Sequence, residues 1–93
     1  MTHTATVTLP PADVLQRAKT FFAERVPHAS AYVEKEGPRF VVLRGQGGEE
    51  VAISAWDDGG GGPTRVRAST LLFDQAVGRF LSTLPLASDV VVA

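Results

Sequence analysis

Between Gly59 and Phe80 the chain reads GGGGPTRVRASTLLFDQAVGRF, three kinds of local structure in a fixed order. Gly59 to Gly62 with Pro63 form a loop, because glycine and proline punctuate regular structure. Arg65 to Ser69 then alternates, with Val66 and Ala68 on one face and Arg65 and Arg67 on the other. That period of two predicts a half-buried strand. From Leu71 to Leu84 the apolar residues recur at helical spacing, and Ser69 or Thr70 can cap the helix they predict. The last strand of the central sheet therefore leads directly into a helix whose broad apolar face must cover something.

The rest of the chain supplies that something. Thr4 to Leu9 alternates threonine with Ala5, Val7 and Leu9, a strand. Pro10 and Pro11 stop it and suit the first turn of a helix. That helix runs to about Val26, with Val14, Leu15, Ala18, Phe21, Phe22 and Val26 as its stripe, and Pro27 ends it. Strands follow at Ala29–Lys35, Arg39–Arg44 and Glu49–Trp56, separated by turns at Gly37-Pro38 and Gly45 to Gly48. Phe40 to Leu43 is apolar on both faces, which suits a central strand.

The order is β-α-β-β-β-β-α, and it predicts an α+β fold: one curved antiparallel sheet with both helices on one face. Residues 1–85 form the expected single domain. Residues 86–93 form a C-terminal tail, frayed or paired as a short edge strand through Val90, Val91 and Val92.

The chain has 93 residues, 44% hydrophobic and 20% charged, which fits one soluble domain with a single core. A net charge of −1 gives no reason to expect nucleic acid. Without cysteine there is no disulfide, thiolate metal site or cysteine nucleophile, and the expected location is cytoplasmic. The N-terminus lacks the basic start and apolar run of a signal peptide, and no stretch approaches the roughly 18 apolar residues of a membrane span.

Two segments resemble a known superfamily. Thr6-Val7-Thr8-Leu9-Pro10-Pro11-Ala12-Asp13-Val14 looks like the opening of the START/Bet v 1-like (SRPBCC, polyketide cyclase-like) domains, where a strand runs into a proline-started helix. Gly60 to Arg67 resembles that group's late GG-T-x-V hairpin, and the apolar helix after it resembles the long helix that grips the sheet. The resemblance implies a miniature helix-grip fold and carriage of a small apolar ligand or lipid. The pocket would lie near Phe22, Phe40, Phe73, Val77 and Phe80. A TBP-like arrangement of sheet and two helices fits the same order.

The chemistry-bearing residues do not assemble into a catalytic motif. His3 and His28 read as surface histidines without further ligands at metal spacing. The glycine loops lie between strands, not at a helix N-terminus where phosphate is held. Glu49-Glu50 and Asp57-Asp58 are adjacent, so on a strand they point to opposite faces. Ser54, Ser69, Ser82 and Ser88 lack a nucleophile elbow. The expectation is a non-enzymatic protein without cofactor or metal.

If Ala31, Val41 or Leu43, Val51, Ile53, Val66 and Ala68 face the helices, the other face shows Tyr32, Phe40 or Val42, Trp56, Arg65 and Arg67. Tyrosine, tryptophan and arginine are enriched at binding hot spots. The second helix, with Leu71, Leu72, Phe73, Ala76, Val77, Phe80, Leu81 and Leu84, carries more apolar surface than a narrow stripe. The reading is a small binding module or accessory subunit. It meets a protein partner, or another copy of itself, through the face of Tyr32, Trp56, Arg65 and Arg67 or through that helix. The small-ligand carrier is the alternative.

Overall fold

The structure is a computed structural model and describes residues 1–24, 31–45, 48–57, 63–71, 73–85 and 91–92, the last two by backbone alone. Its elements are β1 (Thr2–Val7), α1 (Pro11–Glu24), β2 (Tyr32–Gly37), β3 (Phe40–Arg44), β4 (Glu50–Trp56), β5 (Thr64–Thr70), α2 (Asp74–Ser82) and β6 (Val91–Val92). The strands form one sheet in the order β2-β3-β4-β5-β1-β6, every neighbouring pair antiparallel. The fold is α+β, with both helices on one face.

Alternation decides which face. Val41 and Leu43 on β3, Val51, Ile53 and Ala55 on β4, and Val66 and Ala68 on β5 are essentially without solvent exposure. The residues between them are exposed or half-buried. Helix α1 starts as its prolines dictate, with the Pro10 carbonyl accepting from the amides of Asp13 and Val14. It turns Val14, Leu15, Ala18, Phe21 and Phe22 onto the sheet, packing on β2 to β5. Helix α2 lies over β1 and β5 and buries Ala76, Val77, Phe80 and Leu81. Each fully buried side chain of this size stabilises the fold by roughly 1.5–3 kcal/mol over leaving it exposed.

The structure moves several boundaries. Strand β5 continues through Thr70, so neither Ser69 nor Thr70 is the helix cap. Phe73 precedes α2 without a side-chain cap bond, and Leu71 stays outside the helix, 87% exposed. Thr70 supports the turn instead: its hydroxyl donates to the Glu50 carbonyl at 2.9 Å and accepts the Phe73 amide at 3.1 Å. Strand β1 begins at Thr2, which brings His3 into the inward alternation of Ala5 and Val7 and leaves it 4% exposed. It is a core histidine, not a surface one. His28, Val26, Leu72 and the loop Gly59 to Gly62 lie outside the described residues.

Strand β2 starts at Tyr32, later than its sequence pattern indicates, and carries a bulge between Val33 and Lys35. The tail takes the paired form of its two alternatives: Val91 and Val92 pair with Thr4 and His3 of β1 as the edge strand of the sheet. Among the described residues no helix is long and apolar enough to cross a membrane.

Candidate functional site

The sheet face away from the helices is built by cross-strand rows. One row runs Phe40, Ser54, Arg67, Thr4 across β3, β4, β5 and β1. The next toward one end is Trp56, Arg65, Thr6. Toward the other end come Lys35, Val42, Ala52, Ser69, Thr2 and then Tyr32, Arg44, Glu50. Directly opposed residues are about 5 Å apart at Cβ, so each row is a line of side-chain neighbours.

Trp56, Arg65 and Arg67 of the expected partner face are therefore contiguous, and Phe40 joins them from β3. Tyr32 does not. It lies in the row of Glu50, six residues from Trp56 along β4 and two strands away. That places it about 22 Å from Trp56 at ordinary strand spacings. Tyr32 is 57% exposed and Phe40 40% exposed.

At the Tyr32 end sits an ion triad that the sequence pattern does not reveal. Arg44 donates through Nε to Glu34 Oε2 at 3.0 Å, through Nη2 to Glu50 Oε2 at 3.0 Å and through Nη1 to the Gly48 carbonyl at 2.8 Å. The hydrogen bond from Arg44 holds the Glu34 carboxyl below its usual range, and the same bond raises the Arg44 guanidinium. The bulge makes this geometry: the extra residue lets both Glu34 and Lys35 come to the open face, where strict alternation would send one of them toward the helices.

The expected ligand pocket takes a different form. Phe22, Phe73, Val77 and Phe80 do come together beneath α1 and α2, but against one another. The Phe22 ring lies 5.9 Å from that of Phe80 and 6.3 Å from that of Phe73, and Phe21 lies 5.5 Å from Phe80, all tilted. Such spacing is ring-on-ring packing. Phe40 is not among them; it is on the other side of the sheet, because its neighbour Val41 takes the inward position. An open groove of about 360 Å³ exists on the helix layer, lined by Gln16, Arg17, Thr20 and Phe21 of α1 and by Thr83.

Among the described residues one acid–imidazole pair is present. His3 Nε2 lies 3.0 Å from Asp74 Oδ1, and the Met1 ammonium lies 3.3 Å from the same oxygen. The His3 bond, then the ammonium, holds the Asp74 carboxyl below its usual range. His3 Nδ1 is buried without a hydrogen-bond partner among the described residues. With the imidazole this deeply buried, the pair ties β1 to α2 and offers a reactant little access. Extending the Ala5–Val7 alternation one step back is the sequence signal for an inward His3.

Comparison of the chain with family models, curated proteins and solved structures finds no match.

Proposed function

We propose that this protein is a non-catalytic binding module that docks a protein through the open sheet face around Trp56, Arg65, Arg67 and Phe40. The observation that carries the reading is the contrast between the two faces of one sheet. On the helix-covered face the described rings of Phe21, Phe22, Phe73 and Phe80 pack on one another. The open face gathers a tryptophan, a phenylalanine and two arginines on rigid strands, among small Ala52, Ser54 and Ser69. Aromatic and arginine side chains held by a sheet lose little freedom on docking and supply most of the energy in ordinary interfaces.

Carriage of a small apolar ligand is the second reading that the sequence resemblance implies. The mutual packing of Phe22, Phe73 and Phe80 weighs against it, since a ligand would have to part those rings.

A photo-crosslinking residue in place of Trp56, and separately in place of Gln16 on α1, tests the docking reading in the native host. Protein adducts from position 56 and none from position 16 are the expected result. No protein adduct from position 56 would overturn it.

A further inference from the structure

We propose that strand β2 is a self-pairing edge. A second copy of this chain adds its own β2 antiparallel to it, about a two-fold axis between Glu34 and Lys35, and the two sheets become one. The inference concerns the rim of the sheet and does not rest on the docking face around Trp56.

Strand β2 ends the sheet, and among the described residues no strand lies beyond it. The outer N–H and C=O groups of an edge strand are a template for another strand. Tyr32 and Val33 on this edge are exposed, and so is Phe40, opposite Gly37.

The bulge decides what can pair there. Tyr32, Lys35 and Gly37 stand opposite Arg44, Val42 and Phe40, which puts them on the open face. Glu34 joins them through its bond to Arg44. Val33 and Glu36 stand opposite the buried Leu43 and Val41, and Glu36 meets Lys19 of α1. From Tyr32 to Gly37 the facing is therefore open, inward, open, open, inward, open. That order is the same in both directions. Residues directly opposed across two strands share a face. An antiparallel copy therefore matches at all six positions in one register alone: Tyr32 opposite Gly37, Val33 opposite Glu36, Glu34 opposite Lys35. A shift of one or two residues sets open-facing residues against inward-facing ones.

The side chains suit that register. Lys35 has no ion-pair partner among the described residues. Arg44 takes Oε2 of Glu34 and leaves Oε1 for Lys35 of the second copy. The two-fold makes that contact twice. Lys35 is only diagonal to Lys35 of the other copy, farther off than the opposed Glu34. Tyr32 arrives beside Gly37, where the Phe40 ring leans over the space a side chain would fill, so exposed tyrosine meets exposed phenylalanine. Val33 comes beside the stems of the Lys19–Glu36 pair. Charges and a bulge on an edge keep foreign strands away. Here they admit the strand that carries the same bulge and the complementary order of charge.

Six residues of edge, about 20 Å long, bury less than the roughly 800 Å² per partner of a standard interface. The dimer is therefore weak and fills only at high protein concentration.

Sedimentation velocity up to about 1 mM protein tests the dimer, and disulfide trapping tests its register. The wild type is expected to dimerise. K35E, which sets glutamate opposite Glu34 at both contacts, should weaken dimerisation at least about tenfold. The chain has no cysteine, so V33C and E36C can be made in separate chains. Opposed positions lie about 5 Å apart, within reach of a disulfide, whereas each position is about 10 Å along the strands from its own counterpart. An equimolar mixture under mild oxidation should give a mixed disulfide dimer, and neither chain alone should. All three positions are exposed, and the cysteine pair serves if K35E does not fold by circular dichroism. A wild type that stays monomeric, a K35E chain that dimerises like wild type, or a folded mixture without the mixed disulfide would each overturn the proposal. A monomer whose position-56 crosslink still reaches a protein overturns the edge pairing and leaves the docking face standing.

Discussion

Nε2 of His3 lies 3.0 Å from Oδ1 of Asp74, joining the first strand to the first turn of the last helix. The contact makes the seating of α2 depend on a charged group, because Asp74 is also the acidic residue of that helix's first turn, where negative charge is favoured.

Acid should loosen this tie. The Asp74 carboxyl is depressed in the folded state, chiefly by the His3 bond. Its stabilising contribution is therefore fully present above the ordinary aspartate value of about 3.9 and is lost as pH falls through the lower folded value. Denaturant unfolding of the wild type from pH 7 to pH 3 should show that loss. Asp74→Asn should be less stable than wild type at pH 7 and show a shallower decline in acid. Parallel curves for the two proteins would sink the assignment.

Thr70 holds the β5–α2 turn with one hydroxyl that both donates and accepts. Thr70→Val keeps the shape and removes both bonds at a buried position. It should cost about 1–3 kcal/mol, read by denaturant unfolding, because the Phe73 amide loses its partner.

Phe80 is fully buried and meets Phe21 and Phe22 from α1. Phe80→Ala should destabilise by about 3–5 kcal/mol. Val77→Trp at the neighbouring buried position should also destabilise, by about 1–3 kcal/mol, because the larger ring must displace the side chains packed around a fully buried position. A Val77→Trp protein as stable as wild type would reveal space beneath α2 and revive the carrier reading.

On the open face the expectation is the reverse. The double substitution Trp56→Ala and Arg67→Ala should leave thermal stability close to wild type, within about 1 kcal/mol, while abolishing protein adducts from a crosslinker at Phe40. Unfolding of the double variant would show that the face serves stability.

Much of this was legible in residues that obey one local rule. Val51, Ile53 and Ala55 alternate with Ala52, Ser54 and Trp56, and the sheet places the two sets on opposite faces as that period demands. The prolines start α1 at the position their geometry favours. What escaped local reading depends on distant partners or on broken periodicity. His3 points inward by the parity of Ala5 and Val7, but its partner Asp74 is far away in sequence. Glu34 reaches Arg44 because of a bulge, and one extra residue in a strand leaves no mark in a pattern of alternation. Phe40 fits either face by its chemistry, and only the register with Ser54 decides. Thr70, which reads as a helix cap, is held in the strand by pairing with Val51.

The position of β1 between β5 and β6 governs how the chain matures. On the ribosome β1 emerges first, yet Thr2 pairs with Ser69 and His3 with Val92. At roughly 5–20 residues per second, Ser69 follows Thr2 by about 3–13 s. The meander from β2 to β5 needs only neighbouring strands and can zip as it appears, whereas the first strand waits with Ala5 and Val7 uncovered. Adding β1 to the sheet is thus a long-range step, and β1 is open to wrong pairing until β5 has been made.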